Sequence, residues 1–120
     1  MNIEELREYC LSKMRVTESF PFDKTTLVFK VMDKMFLLTG TEGEFSINIK
    51  CDPEKAVELR ERNHSVLPGH HMNKMHWNTV IMDGSTDDEI LYKWIDDSYN
   101  LVVDKLTRAK RKELEEASDS

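Results

Sequence analysis

Phe45-Ser46-Ile47-Asn48-Ile49-Lys50 alternates apolar and polar at every step. A period of two belongs to a strand, and it predicts Phe45, Ile47 and Ile49 facing a core with Ser46, Asn48 and Lys50 facing out. Upstream, Thr25 to Met32 is rich in β-formers. Asp33-Lys34 reads as a short turn, and Met35 to Leu38 as the strand that follows. Gly40 to Gly43 supplies the next turn. Three strands joined so closely predict an antiparallel meander. Further on, Val66-Leu67 reads as a brief strand. Trp77 to Met82 reads as a buried one, closed by Asp83-Gly84.

Three segments carry the helical period instead. Asn2 with Glu5 is a capping-box pattern, and Ile3, Leu6, Cys10 and Met14 follow at helical spacing, so a helix is expected over 3–14. Asp52-Pro53 pairs an N-cap acid with proline at the first helical position. That helix is expected to run to about Asn63, with Ala56, Val57 and Leu59 inward. Ser85 and Asp88 read as a second capping box. The longest helix follows, with an apolar stripe from Ile90 through Trp94, Ile95 and Tyr99 to Leu106. Between the first helix and first strand, Phe20-Pro21-Phe22 is expected as a kink packed against the sheet. The element order is therefore α-β-β-β-α-β-β-α, an α+β arrangement. It fills a single domain over 1–106. Residues 107–120 hold most of the basic run Lys105 to Lys112, then acids, with Leu114 isolated among them. This tail is expected to fray or stay disordered.

Composition narrows the function classes. The chain has 120 residues, 39% of them apolar and 33% charged. That size supports a core without metals or disulfides. No run approaches the roughly 18 apolar residues of a membrane span, and the N-terminus lacks a signal-peptide layout, so a cytoplasmic protein with no membrane partner is expected. Cys10 and Cys51 have no neighbouring cysteine and read as apolar thiols. The formal charge is −6, and segment 83–104 accounts for all of it, with seven acids against Lys93. Such a balance opposes tight nonspecific binding to nucleic acid, where phosphate neutralisation supplies most of the affinity.

The remaining chemistry gathers in 50–78. Pro68 to Val80 alone holds three of the four histidines and one of the two tryptophans, between a Pro-Gly turn and a strand. Lys50, Arg60, Arg62, His70, His71, Lys74 and His76 would make a basic patch if the second helix and this turn share an edge. Asn73 and Asn78 add donors for phosphate oxygens. Asp52, Glu54, Glu58 and Glu61 dilute that patch. The histidines lack the spacing of a zinc site, and no metal or other cofactor is expected. Ser98 and His76, lacking an orienting acid and an oxyanion hole, do not make a catalytic triad, so no enzyme is expected. A groove between sheet and helices, lined by Trp77, Trp94, Tyr99, Phe20 and Phe22, is the other candidate, with Asn73, Lys74 and His76 as its polar groups.

Phe20-Pro21-Phe22, Lys50-Cys51-Asp52-Pro53-Glu54, the run from Pro68-Gly69-His70-His71 to Trp77, and Ser98-Tyr99-Asn100-Leu101-Val102 occur in this order. Together they closely resemble the MmcQ/YjbR family, also called YjbR-like, over about residues 1–106. The chain departs from the family pattern at Met75, where a lysine is common, and at His70, where a tyrosine is common. The resemblance implies a two-layer sandwich, with an antiparallel β-sheet and helices packed on it. It also implies a DNA-binding role, through likeness to a double-wing nucleic-acid module. The reading is a non-enzymatic binding module with DNA as the implied partner and Lys50, Arg60, Arg62, His70, His71, Asn73, Lys74, His76 and Trp77 as the contact set. The alternative is a small-ligand or protein-interaction domain using a groove near Trp77.

Overall fold

The structure, a computed structural model, describes residues 1–69 and 72–118. Its strands are β1 (Val16–Ser19), β2 (Thr26–Val31), β3 (Lys34–Gly40), β4 (Ser46–Lys50), β5 (Val66–Pro68) and β6 (Trp77–Ile81). They form one sheet in the order β1-β2-β3-β4-β6-β5, with every neighbouring pair antiparallel. Helices α1 (Ile3–Leu11), α2 (Pro53–Arg62), α3 (Asp88–Asp104) and α4 (Arg108–Ser118) complete the described chain. The expected α+β order is present, with β1 and α4 added to it. No helix among the described residues is long and apolar enough to cross a membrane.

All four helices pack on the same face. Leu6 and Cys10 of α1, Ala56 and Leu59 of α2, the stripe of α3 and Leu114 of α4 join one buried cluster. The sheet contributes Leu27, Phe29, Val31, Leu37, Ile47, Ile49, Val66 and Val80 to it. The cross-strand register explains this selection, because Leu27, Thr39, Ile47, Val80 and Val66 lie opposite one another in sequence across five strands. Side chains alternate faces along a strand, so the row beside it must point the other way.

Several local details differ from expectation for identifiable reasons. The β2–β3 turn is Met32-Asp33, both with positive φ (49° and 68°), as a two-residue primed turn requires. A register shift after Phe29 leaves Phe36 as an extra residue in β3, and Phe36 and Leu37 are both fully buried. The N-cap of α3 is Asp87, with no side-chain cap bond, so Ser85 and Asp88 do not form the expected box. Val57 is 44% exposed, since Ala56 and Leu59 alone set the inward face of α2. Phe20 and Phe22 are not tucked in but 48% and 64% exposed. β1 was hidden by its polar makeup, Val16-Thr17-Glu18-Ser19. The Arg7 guanidinium binds both carboxylate oxygens of Glu18 and ties that edge strand to α1. The segment expected to fray is helical instead. The Thr107 hydroxyl accepts from the Lys110 amide, as an N-cap does, and Leu114 is 8% exposed. A single apolar residue anchors α4 because it reaches a core already assembled by the other helices.

Ser98 stitches the two layers. Its hydroxyl donates to the Phe36 carbonyl at 2.5 Å and accepts from the Lys50 amide at 2.8 Å. One fully buried side chain thus satisfies the bulge of β3 and the end of β4. Tyr99, next to it, packs edge-on against Phe36 with ring centroids 5.4 Å apart and donates to the Met14 carbonyl at 2.8 Å. Ser98→Ala leaves two backbone groups without a partner and should cost about 2–4 kcal/mol. Tyr99→Phe, which leaves one half-buried carbonyl unpaired, should cost about 1 kcal/mol. Urea unfolding of both variants checks the ranking; equal losses would show that the stitch carries no special weight.

Candidate functional site

The face of the sheet away from the helices is the most distinctive surface. Ser19, Val28, Leu38, Asn48, Thr79 and Leu67 stand opposite one another, one from each strand, in a row that crosses the whole sheet. Ser46 and Ile81 flank that row on one side, and Lys50 and Trp77 on the other. Most of these positions are apolar or neutral. Val28, Leu38 and Trp77 form a second buried cluster, with Met35 and Met72 packed against it.

A groove of about 710 Å³ opens over this face. Met35, Leu38, Leu67, Met72 and Phe22 give it apolar walls, and Thr26, Ser46, Asn48 and Thr79 give it hydroxyl and amide groups. The Thr79 hydroxyl lies 2.5 Å from Asn48 Oδ1. One wall is the connection before β2. There the Asp23 carboxylate accepts from the Thr25 and Thr26 amides, at 2.9 and 2.6 Å, which holds its pKa below the usual range. The other wall contains Pro68 and Met72. Gly69 is required beside it, because a Cβ there would sit 2.9 Å from both Cβ and O of Trp77.

A second depression, about 370 Å³, shares Met35 with the groove as a lining residue. Trp77, Val102 and Leu106 form its apolar part, and Lys34, Lys50 and Lys105 are its charged residues. Burial, then repulsion from Lys105, lowers the pKa of Lys50. A third depression, about 310 Å³, lies between α2 and α3 and mixes Asp52, Asp97 and Asp104 with Lys50 and Lys55. Cys51 lines it, with its thiol pKa pushed up by burial and by Asp52. Cys10 is sealed in the core, and burial raises its thiol to about 12.

The sequence-derived contact set divides rather than gathers. Arg60 Nη1 donates to the Lys74 carbonyl and to Asn78 Oδ1, each at 3.0 Å. Asn78, fully buried, in turn donates to the Ala56 carbonyl at 3.2 Å. Arg60 is therefore a clamp between α2 and the loop before β6. Asn73 holds the same loop, accepting from the Met75 amide through its side chain and from the Trp77 amide through its carbonyl. Arg62 pairs with Glu58 on the outer face of α2 at 3.2 Å. Lys74 is exposed and His76 half-buried. Lys50 and Trp77 are register partners and share the lysine depression. His70 and His71 lie outside the described residues. No three metal-ligating side chains converge among the described residues.

Residue patterning missed Lys34, Met35, Leu38, Thr79 and Lys105 as site residues. One signal for the open face was present. Leu27-Val28-Phe29 and Phe36-Leu37-Leu38 are unbroken apolar runs, and such runs mark strands that are apolar on both faces. Phe22 was assigned to a groove, but to one between sheet and helices rather than on the open face.

The YjbR family profile matches residues 11–101 of the chain. The chain is 37% identical over 115 residues to a protein named uncharacterised protein YjbR, from Escherichia coli K12, covering 95% of this chain and 98% of that one. It is 38% identical over 96 residues to uncharacterised protein YbdF of Escherichia coli O157:H7, covering 79% of each. Among solved structures, a Deinococcus radiodurans protein with a DUF419 domain superposes with a TM-score of 0.88 at 42% identity, covering 94% of this chain and 87% of that one. A Pseudomonas syringae protein superposes with a TM-score of 0.74 at 28% identity, covering 84% and 98%.

The clamp role of Arg60 has a measurable consequence. Arg60→Ala should cost about 1–2 kcal/mol in chemical denaturation, the loss of hydrogen bonds from a charged donor. It should also speed amide exchange at His76 and Trp77, whose loop it holds. Unchanged exchange there would mean that the loop is held without Arg60.

Proposed function

The chain belongs to the YjbR family, and from that premise we propose that it is a binding module whose ligand lies on the open face of the sheet. The ligand class is a small organic molecule with an apolar body. The observation that carries this reading is an apolar sheet face with no helix layer over it, shaped into a groove of about 710 Å³. Small-molecule sites span roughly 300–1,000 Å³ and combine apolar walls with a few placed polar groups. Here Leu38, Met35 and Met72 are the walls, and Ser46, Asn48 and Thr79 the polar groups. Phe22 and Leu67, 64% and 45% exposed, stand on the rim. Exposed apolar side chains around a concave patch mark interaction surfaces.

The reading is of a binder rather than a catalyst. The Ser98 hydroxyl, the nucleophile considered from sequence, is already engaged with two backbone groups. DNA as partner finds thinner support in the side-chain arrangement. Arg60 is used inside the fold and Arg62 is paired, which leaves Lys74 as the exposed cation of the 73–77 turn. The −6 formal charge works in the same direction.

Titration of labelled protein with 1-octanol, followed by amide shifts, tests the groove. The expected shifts fall on Leu38, Asn48, Leu67 and Thr79, persist at high salt, and weaken several-fold in Leu67→Lys, an exposed position that tolerates the change. Shifts confined to the α2–α3 depression, or none at all, would remove the reading. A mobility-shift titration with duplex DNA at low salt should show no complex at micromolar protein. A complex lost in Lys74→Ala would favour nucleic acid instead.

A further inference from the structure

The open-face groove and the depression that shares Met35 with it differ in charge. Asp23 lines the groove. In the depression stand Lys34 from the start of β3, Lys50 from the end of β4 and Lys105 from the end of α3. Among the described residues no acid lines that depression. Among the described residues none of the three lysines is in an ion pair. The acids of the α2–α3 depression, which Lys50 also borders, are not within ion-pairing distance of it. Like charges gathered beside an apolar wall repel one another, and a desolvated ammonium is unfavourable without a partner. Lys105 has a separate structural use, since a cation at a helix C-terminus offsets the helix dipole. Lys34 and Lys50 have no such use.

We propose that the ligand of the open face is an amphipathic organic anion: its apolar body lies along the groove, and its carboxylate or phosphate head sits among Lys34, Lys50 and Lys105. This rests on the open-face reading and adds the ligand's charge and direction to it. Met35, which walls both depressions, is where the body meets the head. Trp77 flanks the head site with an apolar surface that strengthens the electrostatic attraction by excluding water. Asp23 in the groove repels an anion and fixes the orientation. The lowered pKa of Lys50 is consistent with a site that lacks its counter-charge until an anion arrives.

The test compares octanoate, octyl phosphate, 1-octanol and inorganic phosphate at constant ionic strength, on the wild-type chain and on Lys34→Met with Lys50→Met. Methionine keeps the apolar stem and removes the charge. Both organic anions should bind about tenfold or more tightly than octanol, the effect of charge-assisted contacts. The double variant, with an unchanged melting profile, should lose that advantage and bind octanol as before. Octanoate binding no better than octanol, or an advantage that survives the double variant, overturns the head-group assignment while leaving the groove intact. Inorganic phosphate binding as tightly as octyl phosphate also overturns it, because the apolar body would then contribute nothing. Failure of octanol and both organic anions to perturb open-face amides sinks the groove itself.

Discussion

Helix α3 lays Leu91, Trp94, Ile95, Ser98, Tyr99 and Val102 onto one face of the sheet, and the other helices fill in around it on the same side. Burying apolar area there is the main stabilising term, at roughly 25 cal/mol per Å² removed from water. Direction comes from Ser98, whose hydroxyl reaches the Phe36 carbonyl and the Lys50 amide together. A misplaced helix would leave both backbone groups unpaired in a dry environment. Hydrophobic burial therefore draws α3 to the sheet, and one polar contact sets where it docks.

With every helix committed to one side, the other side of the sheet must be completed by loops or left to solvent. An uncovered antiparallel face usually carries polar residues. This one carries Val28, Leu38, Met35 and Trp77 beside Ser46, Asn48, Lys50 and Thr79. The loops before β2 and before β6 rise beside that face without closing it. The result is a groove floored by residues of β2, β3, β4, β5 and β6.

The loop before β6 depends on contacts from outside it. Arg60 reaches from α2 to the Lys74 carbonyl and to Asn78, while Asn73 bonds within the turn. Gly69 lets β5 leave against Trp77 at a distance no larger residue permits. These contacts give the Trp77 indole a defined place between the groove cluster and the lysine depression. They also explain why residues that look like a basic contact set are largely internal fastenings.

Local patterning determined much of this architecture. Alternation in β4, the Asp52-Pro53 start of α2 and the long stripe of α3 depend only on residues close in the chain, and all three are legible from the sequence. The same holds for Cys10 and Cys51 as buried thiols. The turn at Met32-Asp33 and the polar edge strand β1 escaped because side-chain register and a neighbour's guanidinium decide them. The α4 segment escaped because Leu114 has a partner only in the assembled core. Tertiary structure alone decided which strand face the helices cover, and so which apolar residues remained for a groove. It alone brought Lys34, Lys50 and Lys105, from two paired strands and the far end of α3, into one depression. Periodicity is a property of neighbours in sequence, whereas a site is made of neighbours in space.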